Sequence, residues 1–331
     1  MHFLVPVTSK RWFPYKRRCR QKTIAGTKFL GFTSRFSDAR LTARRFITAL
    51  LFLLIAQSVA LAAGQEQMKF QRSGPQKETG DIKNLELCNG ADRRTPEPQI
   101  RSCTTLINSG DLTNEALAIA HNNRGDAYVT RGDYDRALLD FDQSIKANPA
   151  YAKPFNNRGV ALLQKGEYDK AIENINEAIR LDPKYASAYA NRAQAYLKKN
   201  EFERAASDYD EALRLKPDFN DVLSVRCLTR AVIGNIQAAL DDCNKAIQLN
   251  PNDAEAHNAR GFVYMKMGQF DSAISDYDSA VRIEPKLASA LYGRGLAKQK
   301  KGDSTGAQSD ISEARAIAAN IGGKFALYGV K

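Results

Sequence analysis

The strongest constraint on this chain is a register that repeats every 34 residues without a slip. Ala137, Ala171, Ala205, Ala239, Ala273 and Ala307 are each 34 apart. Pro149, Pro183, Pro217, Pro251 and Pro285 keep the same spacing, as do Arg124, Arg158, Arg192, Arg226, Arg260 and Arg294. No insertion breaks the register from 118 to about 321, which gives six units. A fixed period of this length means helix–turn–helix units, each of which buries its apolar face only by stacking on its neighbours.

Each landmark answers a packing need. With Ala118 as position 1, position 8 is Gly125, Gly159, Ala193, Cys227, Gly261 and Gly295, and position 20 is the alanine series. Small residues there let two antiparallel helices approach closely. Position 15 is Gly132, Gly166, Asn200, Gly234, Gly268 and Gly302. That is the left-handed residue ending a first helix, where asparagine is the usual substitute for glycine. Position 24 (Phe141, Ile175, Tyr209, Cys243, Tyr277, Ile311) faces the core, and the proline at position 32 stops the second helix. Arg at position 7 is matched at position 23 by Asp140, Asn174, Asp208, Asp242, Asp276 and Asp310. This near one-to-one pairing predicts an ion-pair ladder between helices rather than a basic track for an anionic ligand.

These landmarks, with the triplets Asn123-Arg124-Gly125 and Asn157-Arg158-Gly159, resemble the tetratricopeptide repeat (TPR) family over about 118–321. The RCLTRAVIG…DDCNKAI unit and the LYGRGLAKQKKGD…ALYGV ending look like exported members of that family in alphaproteobacteria. The resemblance implies an all-α, right-handed solenoid of helix–turn–helix repeats. The units are 118–151, 152–185, 186–219, 220–253, 254–287 and 288–321. A degenerate unit over 82–117, with short helices at 82–90 and 96–109, precedes them. Ala319 stands where the sixth proline would be, and 315–328 carries Ile317, Ile321, Phe325 and Tyr328. This end, with 322–331 as the cap proper, is expected to be a capping helix over the last open core face.

The charge balance sits in the leader. The chain of 331 residues has a formal charge of +12, but residues 1–62 hold 12 basic residues and one acid, Asp38. That leaves 37 basic and 36 acidic residues in 63–331, so a nucleic-acid partner loses its main support. Arg44-Arg45, the apolar run 46–56 and Ala60-Leu61-Ala62 read as a signal peptide cleaved after Ala62. The expected location is exported and periplasmic, with an uncleaved anchor or a mitochondrial-type presequence as alternatives. Contact with a membrane is expected only through an uncleaved leader. Residues 41–62 alone would make a conventional signal peptide, which suggests a true start near Leu41. Residues 63–81 read as a flexible linker.

Four cysteines remain after the leader. Cys227 and Cys243 fall at positions 8 and 24 of one unit, level across antiparallel helices, and Cys88 and Cys103 repeat that relation. In an exported protein they are expected to form two disulfides, the alternative being small buried thiols. His121 and His257 share position 4 and are expected in the packing. No phosphate loop, nucleophile elbow, zinc motif or catalytic triad is present, so no enzyme activity, cofactor, metal or small-molecule substrate is expected.

The working face is expected on the concave side, where TPR first helices present positions 2, 5, 9, 12 and 13. The candidate groove residues are Asn122, Asp126, Asn156, Val160, Leu163, Gln194, Leu197, Lys198, Leu228, Asn258, Phe262, Met265, Tyr292 and Leu296. Carboxamides would hydrogen-bond a peptide backbone while apolar pockets choose side chains. Phe262, Met265 and Leu296 are the expected hot spot. Co-chaperone TPRs hold a C-terminal carboxylate through Lys at position 5 and Asn at position 9. The first unit has Asn122 and Asp126 there and no unit supplies the pair, so that activity does not carry over. The expected function is a non-catalytic scaffold for a protein or peptide partner, the alternative being a regulatory or recruiting subunit of an envelope enzyme.

Overall fold

Fifteen helices and no strand make up the described residues, 80–90 and 95–330, of a computed structural model. The leader and residues 63–79 lie outside them, and with them the signal, cleavage and anchor expectations. Helix α1 spans Gly80–Cys88 and α2 Glu97–Asn108. The repeat hairpins follow: α3 (Asn114–Arg131) with α4 (Tyr134–Ala147), α5 (Ala152–Gln164) with α6 (Tyr168–Leu181), and α7 (Ala186–Lys198) with α8 (Phe202–Leu215). Then come α9 (Asn220–Val232) with α10 (Ile236–Leu249), α11 (Ala254–Lys266) with α12 (Phe270–Ile283), and α13 (Ala288–Lys300) with α14 (Ser304–Ile317). A short α15 (Ile321–Leu327) ends the chain. Among the described residues no helix is long and apolar enough to cross a membrane.

The hairpin closes through a small residue set against a large one. A Cβ built on Gly125 would lie 2.6 Å from the Phe141 ring, and one on Gly159 would lie 2.5 Å from Ile175 Cγ1. Position 15 makes the turn. Asn200, with φ of 60°, is the one non-glycine residue with positive φ among the described residues, and it stands where the other units have glycine. The left-handed residue lets the next amide reach back five residues, as Asp133 N–H does to the Tyr128 carbonyl at 2.9 Å. Unit four departs from the small-against-large rule. There the Cys227 and Cys243 sulfurs lie 1.97 Å apart, at bonding distance across the two helices. Cys88 and Cys103 do the same between α1 and α2, at 2.10 Å.

The arginine at position 7 links three helices. Arg192 Nε and Nη2 donate to the two oxygens of Asp208 in its own unit, each at 2.7 Å, and Nη1 donates to Asn176 of the preceding unit at 2.7 Å. Arg226, Arg260 and Arg294 repeat the pattern, taking Asp210, Asn244 and Asp278 as their outer partners. The fork geometry of guanidinium suits this double duty, which lysine lacks. In the first unit and the fifth, a histidine joins. His121 Nδ1 lies 2.8 Å from Asp140 Oδ1, and His257 Nδ1 lies 3.1 Å from Asp276 Oδ1. Burial pushes the Asp140 carboxyl up, yet the bonds from Arg124 and His121 outweigh it and hold it below its ordinary value. Burial acts the same way on Asp276, and Arg260 and His257 likewise prevail.

A second rung is exposed: Lys165 bonds Asp135 and Lys199 bonds Asp169, both at 2.6 Å. Solvent screens it, so the two rungs differ in weight. Arg192→Ala strands the buried Asp208 carboxylate and is expected to cost about 3 kcal/mol. Lys199→Ala is expected to leave the unfolding midpoint unchanged. Urea unfolding followed by circular dichroism checks both.

Candidate protein-interaction groove

The first helices of the six units stack side by side, so positions 5, 9 and 12 line one continuous face. The face differs along its length. In units one and two, positions 5 and 6 are both asparagines; unit three has Ala190 at position 5 and keeps Asn191 at position 6, and these asparagines bond one another across the helices. Asn157 Nδ2 donates to Asn122 Oδ1 at 3.1 Å, and Asn191 Nδ2 donates to Asn156 Oδ1 at 2.9 Å. Asn156 Nδ2 also donates to Asn157 Oδ1 at 3.1 Å and lies 3.4 Å from the Tyr185 hydroxyl. Asn122 and Asn156 are buried. These carboxamides were expected to meet a peptide backbone; the structure corrects this, because their hydrogen-bonding capacity is used between neighbouring helices. Asn258, also buried, donates to Glu255 Oε2 at 3.3 Å.

Half-exposed side chains run along the same face at Asp126, Val160, Gln194, Leu197 and Leu228, with Lys198 exposed beside them. Leu163 is buried in the core shared by units two to five. These positions form a mixed apolar and polar track over four successive first helices.

The expected hot spot is not open. Phe262, Met265, Tyr292 and Leu296 are all buried, at 2%, 7%, 8% and 6% exposure. They share one cluster with Ile321 and Phe325 of α15, and Tyr328 and Val330 pack against it. The Phe325 ring lies 5.0 Å from Tyr292 and 5.9 Å from Phe262. The Tyr328 ring meets Phe262 and Phe202 edge-on, each at 5.9 Å. Phe202 opens α8 in unit three, so the segment reaches across the face to a unit far from its own. The continuous capping helix expected over 315–328 is likewise corrected. Helix α14 stops at Ile317, Ala318–Asn320 break the direction, and α15 turns onto the concave side. Ile317 stays 43% exposed.

The electrostatics of this end follow from that crossing. Glu255 is reached by solvent yet walled in by protein, and crowding raises its pKa while the Lys324 charge opposes the rise. Lys324 is lowered, first by burial and then by Lys198, with Glu255 acting the other way. Tyr328 is pushed up to about 12, mainly by burial and then by the Glu255 charge. Sequence reasoning missed this set. The one signal was the Ile321, Phe325, Tyr328 spacing, which marks one helix face without saying what it meets. Among the described residues no group of three His, Cys, Asp or Glu could hold a metal ion.

With this geometry, the chain can be placed. A tetratricopeptide repeat model matches residues 122–186 and 156–220, and a TPR repeat model matches 233–268 and 263–302. The chain belongs to the tetratricopeptide repeat family, whose arrays are scaffolds for protein–protein interaction. It is similar in fold to a tetratricopeptide repeat protein from Parabacteroides merdae, at 18% identity and a TM-score of 0.55, covering 75% of this chain and 99% of that one. It is also similar to a chain of the APC/C hetero-tetramer Cut9–Hcn1, at 17% identity and a TM-score of 0.58, covering 72% and 49%. Pseudomonas aeruginosa PilF is similar at 18% identity and a TM-score of 0.54, covering 62% and 94%. No curated protein matches the chain.

The asparagine ladder and the open track should separate under substitution. Asn156→Ala removes bonds to three side chains, Asn157, Tyr185 and Asn191, and is expected to lower stability by about 1–3 kcal/mol. Gln194→Ala is expected to stay within about 0.5 kcal/mol of the parent. Thermal unfolding of both variants checks this.

Proposed function

We propose that the chain is a non-catalytic adaptor of the cell envelope that holds a protein or peptide segment along the concave face of units one to four. The observation that carries the reading is the half-exposed track of Val160, Gln194, Leu197 and Leu228 on successive first helices, beside buried asparagines that fix its spacing. Val160, Leu197 and Leu228 offer apolar contacts, and Gln194 sets a donor and an acceptor between them. A rigid periodic face of this kind suits an extended or helical segment better than a small molecule. Val160→Glu combined with Leu228→Glu is expected to abolish capture of the partner from envelope extract while the circular dichroism spectrum stays unchanged. Undiminished capture by that variant would contradict the assignment.

Export is supported by the leader pattern, 46–56 followed by Ala60-Leu61-Ala62. An oxidising compartment is also where the two cysteine pairs would stay joined. Intact mass of the native protein, alkylated in denaturant without reductant, is expected to show cleavage after Ala62 and no label on Cys88, Cys103, Cys227 or Cys243. Labelled thiols on either pair would contradict oxidation of that pair.

A further inference from the structure

An end cap buries the last open face of its own unit. Helix α15 covers unit six and reaches further. It leaves Ile317 exposed and carries Phe325 and Tyr328 onto Phe262, Tyr292 and Phe202, which belong to units five, six and three. Its inner residues, Ile321, Phe325 and Tyr328, follow the i, i+4, i+7 spacing of a helix lying in a groove, while Leu327 faces out at 52% exposure. The close fit extends to the backbone, since a Cβ on Gly322 would lie 2.9 Å from the Tyr292 hydroxyl oxygen. The helix closes through Gly329 N–H to Ala326 and Val330 N–H to Phe325, both at 3.0 Å, with Val330 packed on the same cluster. Lys324 stands in the field of Glu255.

We propose that residues 321–330 are a resident pseudo-ligand of the groove in units five and six. This half of the groove recognises a short amphipathic helix that carries a basic residue followed by two aromatic residues three apart. A partner segment of that chemistry binds by displacing the chain's own. The inference rests on the adaptor reading and adds a second subsite with its own control.

Two features make the segment displaceable. A helix of seven residues is not stable alone in water, so α15 keeps its form only while seated. It hangs from α14 by Ala318–Asn320, and such a short tether makes it a strong but local competitor. The Phe262, Met265, Tyr292 and Leu296 surface then stays covered until a partner arrives, which prevents a bare aromatic patch from driving aggregation.

The test uses the full chain and a fluorescent peptide of residues 318–331. Full chain carrying Phe325→Ala and Tyr328→Ala is expected to bind the peptide at least tenfold more tightly than the parent, by fluorescence anisotropy. A peptide with the same two substitutions should not bind. Equal binding to parent and variant, or binding to neither, overturns the proposal. Glu255→Lys in the double variant should weaken binding, and a Lys324→Glu peptide should restore it; no such exchange overturns the partner chemistry. If the double variant fails to fold, hydrogen exchange on the parent decides. Excess unlabelled peptide should speed exchange of amides 321–328 and leave 118–317 unchanged, and no acceleration overturns the proposal. Loss of partner capture by the Val160→Glu and Leu228→Glu variant with peptide binding intact would leave this subsite standing. Absence of peptide binding to the Phe325→Ala and Tyr328→Ala chain, with partner capture still abolished by Val160→Glu and Leu228→Glu, would remove the subsite and keep the adaptor reading.

Discussion

The arginine at position 7 is the interaction on which the array depends. Its guanidinium holds the second helix of its own unit and that of the unit before, and it does so with charge that cannot be lost by deprotonation. Arg158 shows the rule under variation. Asn174 replaces the usual aspartate and keeps one bond, at 2.5 Å, while Asp142 of the preceding unit accepts another from Nη1, also at 2.5 Å, and supplies the negative charge. A repeat buries too little alone to be stable, so a bond that ties consecutive units is worth more than its strength within one hairpin.

With the stacking fixed this way, the concave face is decided by a few positions. At position 6 the first three units have Asn123, Asn157 and Asn191, and the last three have Val225, Ala259 and Gly293. The first half closes its inner surface with a carboxamide ladder and leaves a track of mixed character. The second half has no such ladder. It carries large apolar side chains at Phe262 and Tyr292, which need a cover, and α15 supplies it. One repeat pattern thus yields two surfaces with different availability.

The hairpins were legible in the sequence because every unit meets the same neighbours. Gly125 against Phe141, Asn200 at the turn and Arg192 against Asp208 recur in register, and a periodic demand leaves a periodic trace. The groove was legible only as a set of positions. Whether Asn156 serves a ligand or the next helix depends on Asn191, a side chain 35 residues away, and on a competition that composition does not reveal. The landing of α15 had no period at all. Ile321, Phe325 and Tyr328 were visible as one apolar face, but the last unit is nearest in sequence and the inner wall of units three, five and six is nearest in space.

The contact that separates a cap from a groove occupant is Tyr328 on Phe202. The most direct measurement is photocrosslinking from p-benzoylphenylalanine placed at position 202 in the full chain, with mass spectrometry of the peptides. The account predicts an intramolecular crosslink to residues within 324–331, lost when Tyr328→Ala and Phe325→Ala unseat the segment. Crosslinks confined to neighbouring helices, with none to 324–331, would contradict it.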